Sequence, residues 1–318
     1  MTGPAHTARV GRRLQLATQA WLFELEPDPA YPFEQVAPGA HIDVELPGGL
    51  VRQYSLLTHL AEQPRRLVIA VKRDDLGRGG SRQLCDAVAP GTRLAIGAPR
   101  NHFALHADDA PAVLFAGGIG ITPIWSMVQA LRQRATPWTL HYAARSRADA
   151  LLLERLAGDP QVHLHFDDAC EGRPMDMARL VQQAAPDAHL YCCGPAPMLD
   201  AFEAACSARE PSQVHLERFS AVVPPASATG TACVLRLART GLELKVEAGA
   251  SILETLRAAG VDVASSCEQG ICGACETAVL EGEIEHRDSI LSPSERAAGQ
   301  VMMICCSRGK GERLVLDL

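Results

Sequence analysis

Three cysteines within nine residues constrain what this chain can fold into more than any other feature of its sequence. Cys267, Cys272 and Cys275 lie in the run C-E-Q-G-I-C-G-A-C, and Cys305 follows after 29 intervening residues. This C-x4-C-x2-C…C spacing is the plant-type pattern of four thiolates that bind a 2Fe-2S cluster. Glycines between the ligands let the backbone pass close to the inorganic sulfides. The sequence therefore predicts a compact loop that supplies three ligands and a distant strand that supplies the fourth.

Buried free cysteines and a structural zinc site are the two alternatives for these residues. Free cysteines pack as small hydrophobic side chains in many cores, but three of them interleaved with glycine would pack poorly. Structural zinc sites usually pair two C-x2-C turns, whereas this run contains one. Cys305 and Cys306 are adjacent, and from a strand only one of them can point at the cluster. On the residues alone, the choice between these two stays open.

The first hundred or so residues contain short apolar runs separated by proline and glycine, which predicts an antiparallel β-barrel. Within them, R-Q-Y-S places Arg52, Tyr54 and Ser55 on one strand, with Arg52 and Tyr54 on the same face. A guanidinium can bind a phosphate, an aromatic ring can cover a flat ring system, and a hydroxyl can reach a ring nitrogen. A surface strand with a mixed polar face would look the same.

A glycine-rich turn about twenty residues later strengthens this interpretation. The run G-R-G-G-S opens a helical pattern, and its members of interest are Gly77, Gly79, Gly80 and Ser81. Backbone N–H groups at the start of a helix bind anions, helped by the helix dipole. The run therefore predicts a phosphate-binding loop, although a flexible hairpin tip with a serine cap would share the pattern.

Strands alternate with helices from about residue 108 onward, which predicts a parallel sheet covered by helices on both faces. Two turns at strand ends point to a dinucleotide cleft, because open α/β sheets bind ligands at the carboxyl ends of their strands. The first contains Gly118, Gly120, Thr122 and Pro123, and the second contains Cys193, Gly194 and Pro195. The standard G-x-G-x-x-G fingerprint is absent, and a tight βα turn or a core cysteine would also account for these residues.

Arg145 follows the second strand of this region, in R-S-R. An arginine at such a strand end accommodates the 2′-phosphate of NADP, whereas an acidic residue is typical of NAD. On the residues alone, Arg145 favours NADP, and a solvated loop arginine is the alternative.

Net charge and composition limit the possible partners, cellular location and domain division of the chain. A net charge of −7 argues against nucleic acid or an anionic membrane as the main partner. The chain contains no signal-peptide pattern and no long apolar run, so we expect a cytoplasmic protein. Composition and pattern divide the chain at a Pro/Ala/Ser-rich segment, and the expected domains are a β-barrel at 1–107, an α/β domain at 108–222, a linker at 223–230 and a cluster domain at 231–318.

Several motifs in order resemble the phthalate dioxygenase reductase and vanillate demethylase reductase family over essentially the whole chain. They are R-Q-Y-S, G-R-G-G-S, P-R-N-H-F, A-G-G-I-G-I-T-P, Y-C-C-G-P-A-P-M, L-E-R-F and the C-terminal cysteine pattern. The resemblance implies a multidomain fold of an FMN-binding antiparallel barrel, a ferredoxin-reductase-type NAD domain and a β-grasp plant-type ferredoxin domain.

The resemblance also assigns roles to single residues. It places Ser55 near the flavin N5, Arg52 and Tyr54 on the flavin, and Gly77, Gly79, Gly80 and Ser81 on the FMN phosphate. It places the nicotinamide dinucleotide on Gly118, Gly120, Thr122 and Pro123, with Cys193, Gly194 and Pro195 beside the nicotinamide. Phe219 resembles the aromatic residue that approaches the flavin, and the family spacing favours Cys305 as the fourth cluster ligand. Family members typically use NADH, which opposes the inference from Arg145; NADPH stays open.

The implied activity is an oxidoreductase in which NADH passes a hydride to FMN, and electrons then leave singly through the cluster. The implied partner is the terminal oxygenase of a Rieske-type non-haem iron system. A reductase for a haem-thiolate monooxygenase or another acceptor is the alternative within enzymes, and a redox sensor or simple electron carrier is the alternative outside them.

We expect FMN to co-purify with the chain, because the resemblance assigns one flavin phosphate to the loop that ends at Ser81. Acid release of the flavin and chromatography against FMN and FAD standards would measure this. Recovery of FAD would overturn the phosphate assignment at Ser81.

Overall fold

The computed structural model describes residues 5–57, 65–221 and 232–318. The chain forms two compact units, one ending at Arg218 and the other beginning at Phe219. The linker predicted at 223–230 lies outside the described residues. No helix among those residues is long and apolar enough to cross a membrane, and the cytoplasmic location stays a prediction.

The first unit begins with an antiparallel six-stranded sheet in the order β4-β3-β6-β1-β2-β5. Beyond β4, Leu56 bridges to Ile69 of β5, and the Leu57 N–H donates to the Val68 carbonyl at 2.8 Å. These contacts between the two outer strands close the sheet into the predicted barrel. A short helix, α1, follows β5. The bounds are β1 His6–Ala17, β2 Ala20–Pro27, β3 His41–Leu46, β4 Leu50–Ser55, β5 Leu67–Lys72, α1 Gly80–Ala87 and β6 Arg93–Ile96.

Alternating apolar residues account for the barrel interior. The inward positions of its strands are filled by side chains such as Phe23, Leu25, Ile42 and Ile69, all fully buried. Their burial removes apolar surface from water, which is the main favourable term in folding. By the same alternation, Arg52 shares its face of β4 with Leu50 and Tyr54, which both pack against this core.

The first unit continues with a parallel five-stranded sheet in the order β11-β10-β7-β8-β9. The chain starts at the central β7, runs outward through β8 and β9, and returns to the other side for β10 and β11. This reversal leaves a crevice beside the carboxyl ends of β7 and β10, the usual ligand position in such sheets. The bounds are β7 Ala112–Gly117, α2 Ile121–Arg134, β8 Trp138–Ala144, α3 Leu153–Leu156, β9 Val162–Phe166, α4 Met177–Gln183, β10 His189–Cys193, α5 Ala196–Ala205 and β11 Val214–Glu217.

Two elements of this sheet differ from the sequence expectation. The run A-L-L-L-E-R-L has a helical pattern, but it forms only the single turn α3, because Leu152 has a left-handed φ of 60°. The strand β11 is additional to the expected strands, since V-H-L-E is short and follows a proline turn. It pairs with β10 in parallel and so brings Glu217 opposite Cys193.

The second unit is a mixed sheet in the order β13-β12-β18-β14-β16, with a separate two-stranded sheet of β15 and β17. Helix α6 begins at a capped N-terminus, where Ser251 and Glu254 form a capping box. This arrangement of a mixed sheet and one principal helix agrees with the expected fold. The bounds are β12 Cys233–Leu237, β13 Glu243–Val246, α6 Ile252–Ala258, β14 Glu276–Glu281, β15 Ile284–Glu285, α7 Pro293–Ala298, β16 Val301–Met303, β17 Arg308–Gly309 and β18 Arg313–Leu316.

The antiparallel barrel, the parallel sheet and the C-terminal mixed sheet occur in the predicted order along the chain. The domain boundaries at 107/108, 222/223 and 230/231 stay predictions.

Gly39 lies where the barrel contacts helix α2 of the parallel-sheet layer, and replacing it tests this contact. Gly39 has a φ of +89°, its N–H donates to Ser126 Oγ at 2.9 Å, and an added Cβ would lie 1.9 Å from the Phe103 carbonyl oxygen. We expect Gly39→Ala to cost about 1–2 kcal/mol for the left-handed backbone and about 1–3 kcal/mol more for overpacking.

Gly48→Ala is the matched control, because Gly48 has a φ of +94° and no atom within 4 Å of an added Cβ. Urea unfolding followed by tryptophan fluorescence reports on this unit, since Trp21, Trp125 and Trp138 all lie in it. Equal losses in both variants would show that the Phe103 contact contributes nothing.

Candidate functional site

The loop at 267–275 folds its cysteine thiols inward. Cys267, Cys272 and Cys275 are all buried. The Cys267 N–H donates to Cys272 Sγ at 3.4 Å, and the Gln269 N–H donates to Cys267 Sγ at 3.3 Å. A hydrogen bond with the Cys272 thiol and further backbone N–H groups lower the pKa of Cys267 to about 6. Groups that donate to sulfur favour the thiolate, which is the form that binds metal.

Left-handed backbone makes this convergence possible. Gly270 and Gly273 both have a φ of 69°, which favours glycine, and Glu268 has a φ of 56°. A Cβ on Gly270 would lie 2.6 Å from Cys306 Sγ and 2.9 Å from the Cα of Asp288. The glycine is therefore needed both for its conformation and for the space beside it.

The structure distinguishes the two adjacent cysteines by their contacts. The Cys305 thiol hydrogen-bonds with Cys275 and lies close enough to Cys267 to interact with it electrostatically. The Cys306 thiol contacts the Met303 carbonyl at 3.8 Å and Ser307 Oγ at 3.9 Å. Cys305 is thus the thiol that is hydrogen-bonded with a loop cysteine, whereas Cys306 Sγ lies against Gly270 of the loop.

The expected strand at the fourth ligand is wrong. Strand β16 ends at Met303, and Cys305 lies in the turn that follows it. The alternation of side chains along a strand therefore does not decide between Cys305 and Cys306. The turn gives the two thiols different further neighbours, and Cys305 stays the predicted fourth ligand.

A buried aspartate, Asp288, holds the loop in place, although no sequence pattern indicates it. Its Oδ2 accepts from the Leu291 N–H at 2.9 Å, and its Oδ1 accepts from Ser307 Oγ at 3.3 Å. The next residue, Ser289, donates its N–H to the Gly270 carbonyl at 2.9 Å. The segment after β15 is thereby tied both to the loop and to the residue that follows Cys306.

In the first unit, the R-Q-Y-S strand and the glycine-rich turn lie side by side. An added Cβ on Gly80 would be 2.7 Å from Arg52 Cγ, and Arg52 Nη2 donates to the Arg78 carbonyl at 3.4 Å. Burial and the nearby Arg78 guanidinium lower the pKa of Arg52. Two cations gathered at one place are suited to an anion.

The turn itself is arranged for a phosphate. Helix α1 begins after Gly79, whose φ of 84° favours glycine, so the backbone cap is Gly79. Ser81 Oγ accepts from the Asp74 N–H at 3.0 Å, which leaves the Ser81 hydroxyl proton available to a ligand oxygen. Gly77 lies close to Asp74, since an added Cβ would be 2.6 Å from Asp74 Oδ2. Asp74 thus orders the loop, a role that the sequence does not indicate.

Tyr54 presents an unsatisfied hydroxyl beside these residues. Its ring is half-buried, and within the described part of the chain its buried hydroxyl has no hydrogen-bond partner. Burial raises the pKa of the Tyr54 hydroxyl, so it stays protonated. A buried donor without a partner is costly, and a polar ligand on this face would satisfy it.

The two glycine turns of the parallel sheet touch one another, as the cleft hypothesis requires. An added Cβ on Gly120 would lie 2.1 Å from the Cys193 carbonyl oxygen, and one on Gly117 would lie 2.6 Å from Pro195 Cδ. The absence of Cβ atoms lets the two turns pack directly on one another at the strand ends, where open α/β sheets bind ligands. Gly194 lies in the same contact, with its added Cβ 3.2 Å from the Gly117 Cα.

Nearby side chains fix the first turn. The Tyr142 hydroxyl donates to the Gly118 carbonyl at 3.2 Å, and Thr122 Oγ1 donates to the Ile119 carbonyl at 2.9 Å. Thr122 and Pro123 are buried at the start of α2. Thr122 and Pro123 therefore hold the turn, in which Gly118 has open space beside it and Gly120 packs on Cys193.

Ser55 and Glu217 meet at the same crevice. Ser55 is buried and hydrogen-bonds to Glu217, which lies opposite Cys193 on the neighbouring strand. Glu217 is partly exposed as a residue, yet its Oε2 is buried and has no hydrogen-bond partner among the described residues. Burial raises the pKa of Glu217 to about 8, opposed by the Ser55 hydrogen bond. A neutral carboxyl can then donate a hydrogen bond at pH 7.

Glu217 stands in the L-E-R-F motif, but no sequence pattern assigns it a role. Its environment depends on strand β11, which the sequence does not predict. Cys193, in contrast, is predicted at the crevice, and it is fully buried there with a thiol pKa raised by that burial.

Two further predicted residues, Arg145 and Phe219, belong to different units of the chain. Arg145 is exposed after β8, and its carbonyl accepts from the Asp168 N–H at 3.0 Å. Phe219 opens the second unit with 43% of its surface exposed.

The residues fit the three expected groups. Four thiols on one loop and one turn have the donor set of a 2Fe-2S cluster. Arg52, the start of α1 and the unsatisfied Tyr54 hydroxyl are suited to a flavin and its phosphate, and the paired glycine turns lie where a dinucleotide would bind in such a sheet.

Comparison with known proteins agrees with this arrangement. Residues 235–310 match the model of the 2Fe-2S iron-sulfur cluster binding domain, and residues 114–204 match that of the oxidoreductase NAD-binding domain. The chain is 50% identical to phenoxybenzoate dioxygenase subunit beta of Ectopseudomonas oleovorans, with all of both chains covered.

Solved structures show the same likeness and confirm the predicted fold class. Phthalate dioxygenase reductase, described as a modular structure for electron transfer from pyridine nucleotides to 2Fe-2S, matches at 35% identity and a TM-score of 0.71 over 100% of both chains. An intact type IV self-sufficient cytochrome P450 monooxygenase matches at 36% identity and a TM-score of 0.91. That match covers 98% of this chain, which spans 41% of the length of the P450 protein.

We expect the Glu217 carboxyl to make stability depend on pH. Its pKa is about 8 in the folded chain against an ordinary value of 4.5, so between these values the folded state holds a proton that the unfolded state lacks. Stability therefore falls as pH rises through this window, by up to about 1.4 kcal/mol per pH unit, and is level above pH 8. Glu217→Gln, which stays neutral, should remove this fall.

Urea midpoints at pH 5.5 and 7.5 would measure the difference between wild type and Glu217→Gln. Glu210→Gln is the control, because Glu210 is exposed and should behave like wild type. The same pH dependence in all three proteins would mean that Glu217 is ionised normally.

Proposed function

Because the chain belongs to the phthalate dioxygenase reductase and vanillate demethylase reductase family, we propose that it is the NADH-dependent reductase component of a two-component oxygenase or demethylase system. One observation supports this function most strongly. Four thiols converge in a chain that also has a candidate dinucleotide crevice and a candidate flavin site. A simple flavin reductase would need no such thiols, and a simple ferredoxin would need no crevice.

NADH, FMN and a 2Fe-2S cluster are the cofactors of this activity. When bound, FMN accepts a hydride from NADH and releases electrons one at a time, and the cluster accepts them singly. The protein supplies binding, orientation and exclusion of water.

Different residues would bind the dinucleotide and the flavin. Gly118 and Gly120 approach the dinucleotide with backbone, and Cys193, Gly194 and Pro195 leave space for the nicotinamide. Ser55 and the neutral Glu217 carboxyl present a hydroxyl and a proton donor at the same place. Arg52 and the loop from Gly77 to Ser81 hold the flavin phosphate.

NADH is favoured over NADPH by the family, and the structure offers one argument in the same direction. Arg145 is exposed, and two acidic residues, Asp167 and Asp168, follow the neighbouring strand β9. The Asp168 N–H donates to the Arg145 carbonyl, so the two residues share one loop region. Acidic groups there oppose a second phosphate.

The electron acceptor is an oxygenase component, and we infer a Rieske-type non-haem iron oxygenase. The related phenoxybenzoate and phthalate dioxygenase proteins are subunits or reductases of dioxygenase systems. The chain itself has no paired C-x-H and C-x2-H motifs of a Rieske centre, so oxygen activation belongs to another polypeptide. That polypeptide selects the organic substrate.

A haem-thiolate acceptor is the second candidate, because the self-sufficient cytochrome P450 monooxygenase contains a region similar to this whole chain. Pull-down of the acceptor from source cells, followed by NADH-driven turnover with the purified partner, separates the two. A Rieske centre in the captured protein supports the first candidate, and a haem-thiolate spectrum supports the second.

The adjacent cysteines allow a matched test of electron transfer. We expect Cys305→Ser to lose the 2Fe-2S absorbance and nearly all NADH-dependent cytochrome c reduction, because its thiol faces Cys275 and Cys267. Cys306→Ser should keep both. NADH reduction of FMN should continue in either variant, measured by anaerobic bleaching of the flavin.

Two outcomes would contradict this. Loss of the cluster in Cys306→Ser with retention in Cys305→Ser would reassign the fourth ligand. Loss of flavin reduction in Cys305→Ser would show that the hydride step depends on the cluster region.

A further inference from the structure

A group of imidazoles and one carboxylate lies at the opposite end of the parallel sheet from the glycine turns. His106 and Asp108 belong to the segment that leads into β7, and His189 is the first residue of β10. One ligand atom of each lies within 4.8 Å of the others. Because the strands are parallel, the starts of β7 and β10 are remote from their carboxyl ends, so the group takes no part in the crevice chemistry.

We propose that His106, Asp108 and His189 form a binding site for a divalent transition-metal ion, with zinc as the best-suited ion. His106 Nδ1 lies 3.1 Å from Asp108 Oδ2, and His189 Nε2 lies 3.3 Å from the same oxygen. Tetrahedral zinc with ligand bonds of about 2.0–2.1 Å separates its ligand atoms by about 3.4 Å. The His189–Asp108 spacing therefore matches one edge of such a site, and the His106–Asp108 spacing places the second imidazole beside the same oxygen.

The donor types select the ion class. Two imidazole nitrogens and one carboxylate oxygen suit zinc, nickel or copper, whereas magnesium and calcium prefer all-oxygen sites. His106 and Asp108 have side chains about half exposed, at 46% and 50%, so water can supply a fourth ligand and an ion can enter. His189 is almost completely buried at 8% exposure and forms the fixed side of the site.

An outer layer of contacts orients the three residues. His189 Nδ1 is 3.0 Å from His215 Nε2, and the His215 ring stacks on Tyr191 with centroids 4.5 Å apart. A histidine ligand usually uses its second nitrogen for such a hydrogen bond, which fixes the ring. In the tautomer whose Nδ1–H donates to His215, the His189 Nε2 lone pair is directed towards the Asp108 carboxylate, and a cation between them would bind to both. In the other tautomer, Nε2–H donates to Asp108 directly, so zinc binding would select the first tautomer.

The backbone around the ligands is also held. The His106 N–H donates to the Tyr191 hydroxyl at 2.8 Å, and its carbonyl accepts from Arg134 at 3.0 Å. Asp108 Oδ1 accepts from the Ala110 N–H at 3.2 Å, which leaves Oδ2 directed at both imidazoles. His106 stacks on His189 with centroids 4.0 Å apart, so the exposed His106 ring has to rotate for its lone pair to reach the ion.

The site has a structural consequence. A bound ion would cross-link the segment between β6 and β7 to the first residue of β10. Both parts belong to the first unit. We expect zinc to raise the thermal unfolding midpoint of this unit and to leave NADH oxidation unchanged, because no residue of the site lies at the crevice.

Calorimetric titration of the cofactor-loaded protein with zinc chloride, in a non-chelating buffer, tests the site. We expect one zinc ion per chain, no saturable binding of magnesium, and affinity at least about tenfold weaker in His106→Gln and in Asp108→Asn. Both changed residues are exposed, so the variants should fold. His6→Gln is the matched control, because His6 pairs with Asp28 at 3.5 Å without a second imidazole ligand, and it should bind zinc like wild type.

Anomalous diffraction at the zinc edge would locate the ion. A peak between His106, Asp108 and His189 supports the site. Zinc binding of equal affinity in both variants, or no saturable zinc binding to the wild type, would overturn it. The three residues would then form only a hydrogen-bonded chain from His215 through His189 to Asp108.

Discussion

Four sulfur atoms from two distant parts of the chain have to meet at one point, and the second unit is built around that requirement. Thiolates that converge repel one another and must be held by backbone that can turn sharply and donate N–H groups. Gly270 and Gly273 provide the left-handed turns, and the Cys267 and Gln269 N–H groups point at sulfur. Asp288 accepts from Ser307 and so fixes the turn that brings Cys305 to the loop. A buried carboxylate remote in sequence from the loop thiols thus determines their geometry.

A second constraint, the reversal of strand order at β7, organises the first unit. It places the turns after β7 and β10 in contact, and it makes glycine obligatory on both sides because any Cβ there would meet the facing turn. Adding β11 beyond β10 carries Glu217 to the same crevice, where Ser55 of the barrel hydrogen-bonds to it. Hydride transfer between a bound nicotinamide and a bound flavin would need residues of the barrel and of the sheet close together, as Ser55 and Glu217 are.

Much of this arrangement can be predicted from the sequence, because it depends on residues that are close to one another along the chain. Cysteine spacing, glycine turns at strand ends and the alternation of strands and helices each depend on residues near one another, and these patterns identify Cys272, Gly120 and Ser81. The features that sequence patterns miss depend on tertiary context. Glu217 acquires its role only when β11 pairs with β10, and Asp288 only when its segment is buried. Even Cys305, expected on a strand, is positioned by the turn after Met303.

The central claim is that electrons from NADH leave this chain through the cluster. Electron paramagnetic resonance after anaerobic addition of one equivalent of NADH tests it most directly. The prediction is a low-temperature signal of a reduced 2Fe-2S cluster that disappears when an electron acceptor is added. A fully bleached flavin with a cluster that stays oxidised would contradict the claim.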